Sequence, residues 1–260
     1  MSPNPANPAN QVWHERKVAA EAALQRGDLQ AAESMWHAAL EQAEYFNEGD
    51  PRLAFTLDNL ADAMTMRGRA MLAEPLYRRS LAIKTKLLGP QHLSVAHTMN
   101  ALAGALYSLG RHGQAETSCK MALLIFEREL GKEHLNVGMT AGNLAMVYHS
   151  LGRHMEAQQL YRRALNIRTK ILGHDHPDVA ALRQSYSMLL ARTSLTNLQQ
   201  QKTTWTVPSM PSLNPDFSAE DYPTPDKALG PTHELLANKS IARPRTLNEI
   251  FKIKSLNPDR

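Results

Sequence analysis

Apolar side chains return along this chain every three or four residues, the period of one helical face, and small residues interrupt them at fixed points. One set of apolar stretches stops at Gly68-Arg69, Gly110-Arg111 and Gly152-Arg153, as a tight turn between antiparallel helices would require. A second set runs on to Leu88-Gly89, Leu130-Gly131 and Leu172-Gly173, where glycine can enter the left-handed region that ends a helix. The loops GPQHLSVA, GKEHLNVG and GHDHPDVA then restart the pattern. The chain therefore reads as a succession of helix pairs.

The pairs are copies of one another. Gly68, Gly110 and Gly152 lie 42 residues apart, and the same step links Leu60, Leu102 and Leu144. It also links Ala61, Ala103 and Ala145, then Ala73, Ala115 and Ala157, then Leu81, Leu123 and Leu165. Such a period is the mark of a stacked repeat. The first alanine set belongs where the helices of one unit touch, and the second where the later helix meets its neighbours. A larger side chain there would push the axes beyond the 8–10 Å of ordinary helix packing. An earlier, divergent unit carries Gly27, Ala32, Trp36 and Leu40, 41 residues before their counterparts. A half unit from Asp178 onward supplies the terminal helix that covers the end of a stack.

This spacing of Leu-Ala, Gly, Ala, Tyr and Ala-Leu resembles the tetratricopeptide repeat. The 42-residue length, the loop LGHDHPDVA and the segment NLAMVYHSLGRHMEAQQLYRRALNI resemble the long repeats of kinesin light chains and their bacterial relatives, over about residues 14–195. The resemblance implies an all-α fold, a right-handed superhelical solenoid of antiparallel helix pairs. The units expected are 12–50, 51–92, 93–134 and 135–176, with a terminal helix 177–200, after a disordered segment 1–11. The kinesin-type N-terminal coiled coil has no counterpart here, so attachment to a motor is not implied.

In such a solenoid the first helix of each unit lines the concave face. The family pattern puts Phe55, Asp58, Asn59 and Asp62 at exposed positions there, followed by His97, Asn100 and Gly104, then Met139, Asn143 and Met146, with Gln184 and Met188 continuing the row. Asn suits an extended peptide because it donates and accepts, and Met adapts to side chains of varied shape. The Lys and Arg of a carboxylate clamp are not at the matching places. The function expected is a non-catalytic scaffold that binds peptide segments of partner proteins on this face. The alternatives are nucleic-acid binding by the basic later repeats, or self-regulation by the tail occupying the groove.

From Lys202 the helical pattern gives way to a stretch rich in Pro and Ser, expected to be largely disordered over 201–260. Within it, Leu247, Ile250, Phe251 and Leu256 have a spacing compatible with a short amphipathic helix at 246–256. Charge separates along the chain: residues 1–66 carry net −6, 67–200 net +9, 202–238 net −3 and 239–260 net +4. Arg78-Arg79 and Arg162-Arg163 occupy equivalent sites. The total of +4 is modest, and no dense run of Lys and Arg points to nucleic acid.

Catalytic chemistry is not legible. No phosphate loop, HExxH or GxSxG occurs, and neither catalytic residues, a cofactor nor a metal is expected. His92, His134 and His176 recur at 42-residue steps in one loop, so a loop-closing hydrogen bond accounts for them better than a metal; His112 and His154 follow the Gly-Arg turn and are expected in solvent. Cys119 takes the place of Tyr77 and Tyr161 and is expected to be a buried, inert thiol. No signal sequence or membrane-length apolar run appears, so a cytoplasmic protein, monomeric by default, is expected.

Overall fold

The computed structural model describes residues 8–47 and 49–203, with side chains within 9–194 of these. The described residues form α1 (Pro8–Gln25), α2 (Leu29–Ala43), α3 (Pro51–Met66), α4 (Ala70–Leu88), α5 (Leu93–Ser108), α6 (His112–Leu130), α7 (Leu135–Ser150), α8 (His154–Leu172) and α9 (Pro177–Thr203), and no strand. Helix α1 starts inside the segment expected to be disordered. Pro8 suits a first turn, whose N–H groups lack helical partners anyway, and Asn10 Oδ1 accepts from Arg52 Nη1 at 2.8 Å. Helix α9 runs three residues past the boundary expected at 200, into the segment expected to be disordered, and the rest of the tail, with its expected helix at 246–256, lies outside the described residues.

The inner helices begin with side-chain caps, and glycines close the turns after them. Asp50 caps α3 ahead of Pro51, its side chain accepting from Arg52 N–H. His92 and His134 cap α5 and α7 through Nδ1, which accepts from the Ser94 and Asn136 N–H groups at 3.1 Å. His176 does the same for Asp178 at 3.2 Å, so the loop histidines close their loops as expected. At the turn inside each pair, Gly68 takes φ +77°, which lets Arg69 N–H reach back to Met64 C=O at 2.9 Å; this closure satisfies a carbonyl that the helix end would otherwise leave open. The glycines after the second helices differ from expectation. Gly89, for example, has φ 86° but ψ 156°, an extended mirror-image conformation that only glycine adopts readily.

Packing follows the repeat. Ala61, Ala103, Ala145, Ala73, Ala115 and Ala157 are all at most 1% exposed. A column of large residues on the second helices, Trp36, Tyr77 and Tyr161, is equally enclosed, and Cys119 completes it. Burial alone pushes the Cys119 thiol up to about 12, so it stays protonated at neutral pH. On the outer side an ion pair recurs between successive units: Arg69 with Glu33, Arg111 with Glu74 and Arg153 with Glu116.

The close approach of α7 and α8 rests on glycine. A Cβ on Gly138 would lie 2.8 Å from Ile167 Cγ2 and 3.1 Å from Ile167 Cβ. A β-branched side chain cannot swing aside. Gly138→Ala is expected to lower stability by about 1–2 kcal/mol in urea denaturation, overpacking outweighing the helix propensity of alanine. Gly113→Ala, with nothing within 4 Å of the new methyl, serves as the control and is expected to be neutral or to stabilise by about 0.5 kcal/mol.

The first helices of successive units also touch one another: α5 meets both α3 and α7, closer than the second helices approach each other. Their layer is therefore the inner side of the stack.

Candidate functional site

Four registers run across the inner side, one residue from each of α3, α5 and α7. The first holds Phe55, His97 and Met139. Phe55 is half-buried and meets the edges of Trp13 at 6.3 Å and Trp36 at 5.8 Å. His97 is exposed but lies against Phe126 at 4.9 Å. Lost hydration among these walls, helped by the Lys84 ammonium, holds its imidazole below the usual range, so it is neutral. Met139 is half-buried.

The next two registers are Asp58, Asn100 and Gly142, then Asn59, Ala101 and Asn143. Asn59 Nδ2 donates to Phe55 C=O at 2.8 Å, which turns its amide toward its own helix. Asn100 and Asn143, expected to be exposed, are 5% and 4% exposed. The reason is that α5 and α7 approach closely enough for Asn143 Nδ2 to donate to Asn100 Oδ1 at 3.1 Å, one asparagine satisfying the other.

The fourth register is Asp62, Gly104 and Met146. Gly104 and Met146 are buried as well, Met146 within the main apolar cluster. Asp62 is half-buried as a residue, yet its carboxyl lies at the closed end, where Oδ1 accepts from Tyr77 Oη at 2.5 Å. Enclosure raises the Asp62 carboxyl to about 7 against the pull of that hydrogen bond, and the neighbouring Asp58 adds to the rise. Gln184 and Met188 on α9 are exposed as expected.

One further expectation changes. His112 and His154 are half-buried, stacked 5.2 Å from Tyr107 and 5.7 Å from His149. The arginine pairs are engaged with acids and polar groups of their own and other helices. Arg79 bonds Glu44, Arg163 bonds Glu127 at 2.5 Å, Arg78 bonds Glu74 and Gln114, and Arg162 donates to Tyr186 Oη at 2.9 Å.

Charge on the inner side is polarised by a residue absent from the sequence-based expectation. Lys84 on α4 reaches over α3 and pairs with Asp58, 26 residues earlier, while Thr98 Oγ1 donates to the same carboxylate at 2.8 Å. Two repeats on, the equivalent of Lys84 is Arg168, and 26 residues earlier stands Gly142. Arg168 is 4% exposed, and among the described residues no carboxylate lies within salt-bridge distance of it. Its Nε and Nη2 donate only to the Gly138 and Met139 carbonyls, at 3.3 and 3.1 Å. A Cβ on Gly142 would stand 3.0 Å from Nη2, so the glycine makes the room the guanidinium fills. Burial lowers Arg168 to about 10 against the pull of the Asp178 carboxylate, and it remains a cation at neutral pH. The signal was present in the repeat: this position holds Lys84, Phe126 and Arg168, and the place of Asp58 in the first full unit is taken by Gly142 in the third.

The Tetratricopeptide repeat family model matches residues 12–86, 66–118, 94–170 and 136–196. The chain belongs to the tetratricopeptide repeat family. No curated protein matches it. Among solved structures, BtubC (BKLC) from P. vanneervenii is 24% identical, with 81% of this chain and 91% of that one covered at a TM-score of 0.57. A putative kinesin light chain with nearly identical TPR-like repeats from Podosopora anserina is 22% identical, covering 77% and 100% at 0.60. A Rap protein complexed with competence and sporulation factor is 17% identical, covering 73% and 51% at 0.60. These likenesses establish the shared solenoid of helix pairs. Among the described residues no helix of this tetratricopeptide repeat protein is long and apolar enough to cross a membrane, and no cluster of His, Cys, Asp or Glu is placed to hold a metal ion.

Proposed function

We propose that this protein is a non-catalytic scaffold whose inner face binds a peptide segment of a partner protein, and that Arg168 receives an acidic side chain of that segment. The observation that carries the reading is the buried Arg168 guanidinium beside Gly142, which forms no salt bridge among the described residues and feels the Asp178 carboxylate only at longer range, set beside the filled Lys84–Asp58 pair in the first full repeat. A buried cation without a hydrogen-bonded carboxylate is costly, and a partner's carboxylate would complete the site as Asp58 completes the earlier one. Planar guanidinium suits that role better than an ammonium. Phe55, His97, Met139, Gln184 and Met188 would supply the apolar and adaptable contacts around it. The Asn100–Asn143 pair would open only if a peptide backbone replaced its hydrogen bond. A Rap protein of the same fold is known in complex with competence and sporulation factor, so solenoids of this kind can carry a ligand.

Nucleic-acid binding draws less support, because Arg79, Arg111, Arg153 and Arg163 are already engaged by Glu44, Glu74, Glu116 and Glu127.

A peptide array probed with the full chain tests the proposal. Binding peptides are expected to share an acidic residue, and Arg168→Gln is expected to weaken them about 10- to 100-fold while Arg168→Lys retains part of the affinity. Peptides bound equally by the Arg168→Gln protein would overturn it.

A further inference from the structure

Histidine and arginine meet at one edge of the last full unit. His149 lies in the last turn of α7, His154 begins α8, and their rings stand edge to face at 5.7 Å across the Gly152-Arg153 turn. Arg192 joins them from α9. It holds the place of Ser150 one unit on, and His149 holds the place of Tyr107, whose Oη accepts from the Ser150 hydroxyl at 3.1 Å. The Arg192 charge accordingly bears on His149: burial first, then His154 and Arg192, hold its imidazole below the ordinary range. The earlier units have no such cluster. Thr65 and Ala70 stand at the histidine places in the first full unit, and Tyr107 and His112 in the second, with neutral Ser108 and Ser150 in the place of Arg192.

Among the described residues the histidines that form ion pairs are His37 and His176, not these two. His154 Nδ1 is enclosed without a hydrogen-bond partner, as is His112 Nδ1 one unit earlier. The neighbouring carboxylates, Glu156 and Glu116, are both bound to Arg153, whose guanidinium lies over the Tyr148 ring at 4.0 Å. No carboxylate is among the charges that act on His149. Two imidazoles alone could hold a transition-metal cation, but a guanidinium beside them opposes one and favours an anion. The start of α8, which no side chain caps, adds the positive end of its dipole. A guanidinium fork and two imidazole N–H groups from three helices suit an oxyanion with several acceptor oxygens better than a carboxylate with two. We infer that His149, His154 and Arg192 form a binding site for a divalent tetrahedral oxyanion of the phosphate class. The site lies outside the four registers of the inner face and stands independently of the peptide-groove reading. An anion beside His149 offsets the Arg192 charge and favours the imidazolium, so binding takes up a proton and strengthens as pH falls.

The test follows the imidazole C–H resonances of the full-length protein by NMR, with His112→Gln, His149→Gln and His154→Gln proteins assigning the three signals. Sulfate is the probe, because its charge is constant over the pH range used, and sodium chloride holds the ionic strength fixed. Sulfate is expected to shift the His149 and His154 signals saturably, to leave His112 in place, and to bind about tenfold more tightly at pH 6 than at pH 8. Arg192 is exposed, so its replacement spares the fold. Arg192→Gln is expected to weaken sulfate about five- to tenfold, with Arg192→Lys intermediate and the helical circular dichroism unchanged. In sulfate-free buffer Arg192→Gln is also expected to move the His149 titration upward, because a repelling charge has gone. Inorganic phosphate and N-acetyl phosphoserine amide then separate the two sources of such an anion. Tighter binding of the phosphoserine assigns the site to a phosphorylated side chain and equal binding to the free ion, and either result supports the site. Signals that move no more in sulfate than in chloride, sulfate binding unchanged by Arg192→Gln, or a response to zinc in place of sulfate overturns it.

Discussion

Trp36→Ala is expected to lower the stability of the N-terminal end of the stack by about 3–5 kcal/mol, the usual cost of removing a fully enclosed aromatic. Trp36 is 0% exposed and closes a cluster with Trp13, Ala20, Ala39, Ala43, Leu60 and Ala63, in contact with the Phe55 edge. Solenoid stability is approximately a sum over units and their interfaces. The loss should therefore appear as early unfolding of α1 and α2, ahead of α5 to α9, in hydrogen exchange across a urea series. Trp36→Phe separates packing from polarity. The Trp36 indole Nε1 is buried without a hydrogen-bond partner among the described residues, and an unsatisfied donor carries a penalty of about 1–3 kcal/mol. Phenylalanine removes that penalty while losing some volume, so a change within about 1 kcal/mol is expected. A large loss for Trp36→Phe would mean that the indole N–H has an essential partner.

Asp62→Asn is expected to stabilise the protein at pH 8 and to have no effect near pH 3. The folded carboxyl titrates at about 7 and the free one near 3.8. Between those values the folded state binds more protons than the unfolded one, so stability falls as pH rises, and the full penalty is present above pH 7. The gap corresponds to roughly 4 kcal/mol as an upper bound at 1.36 kcal/mol per pH unit. Because Asp62 as a residue is only half-buried, about 1–2 kcal/mol is the gain we expect. Asparagine cannot ionise, and its carbonyl still accepts from Tyr77. His97 and His149 act in the opposite sense: burial depresses both, so their contribution is present at neutral pH and lost as pH falls through their folded values. The difference between wild type and Asp62→Asn, measured by urea denaturation from pH 3 to 8, cancels the histidines and isolates the carboxylate. A flat difference would contradict the buried setting of Asp62.

Much of this fold is written in small residues and loop chemistry. The alanine registers mark where helices touch because a contact distance admits little else, and the loop histidines recur because each caps the next inner helix. The candidate site was less legible. A repeat pattern says which helix faces inward but not how closely neighbouring inner helices approach, so Asn100, Asn143 and Met146 read as exposed although α5 and α7 meet there. His112 and His154 read as solvated because the turn alone does not reveal the ring of Tyr107 or His149 beside them. Arg168 escaped notice because its register, Lys84, Phe126 and Arg168, shows no constant residue type; its significance comes from Gly142, a position on a different helix that only the fold brings beside it.

A double-mutant cycle at Arg168 bears most directly on the account. It pairs Arg168→Gln with replacement of the acidic residue by its amide in the tightest array peptide, all four affinities being measured by calorimetry. The account predicts a coupling of at least about 1.5 kcal/mol between the two changes, as for close interfacial charge pairs. Additive losses, with no coupling, would show that the guanidinium of the third full repeat does not hold the ligand's carboxylate.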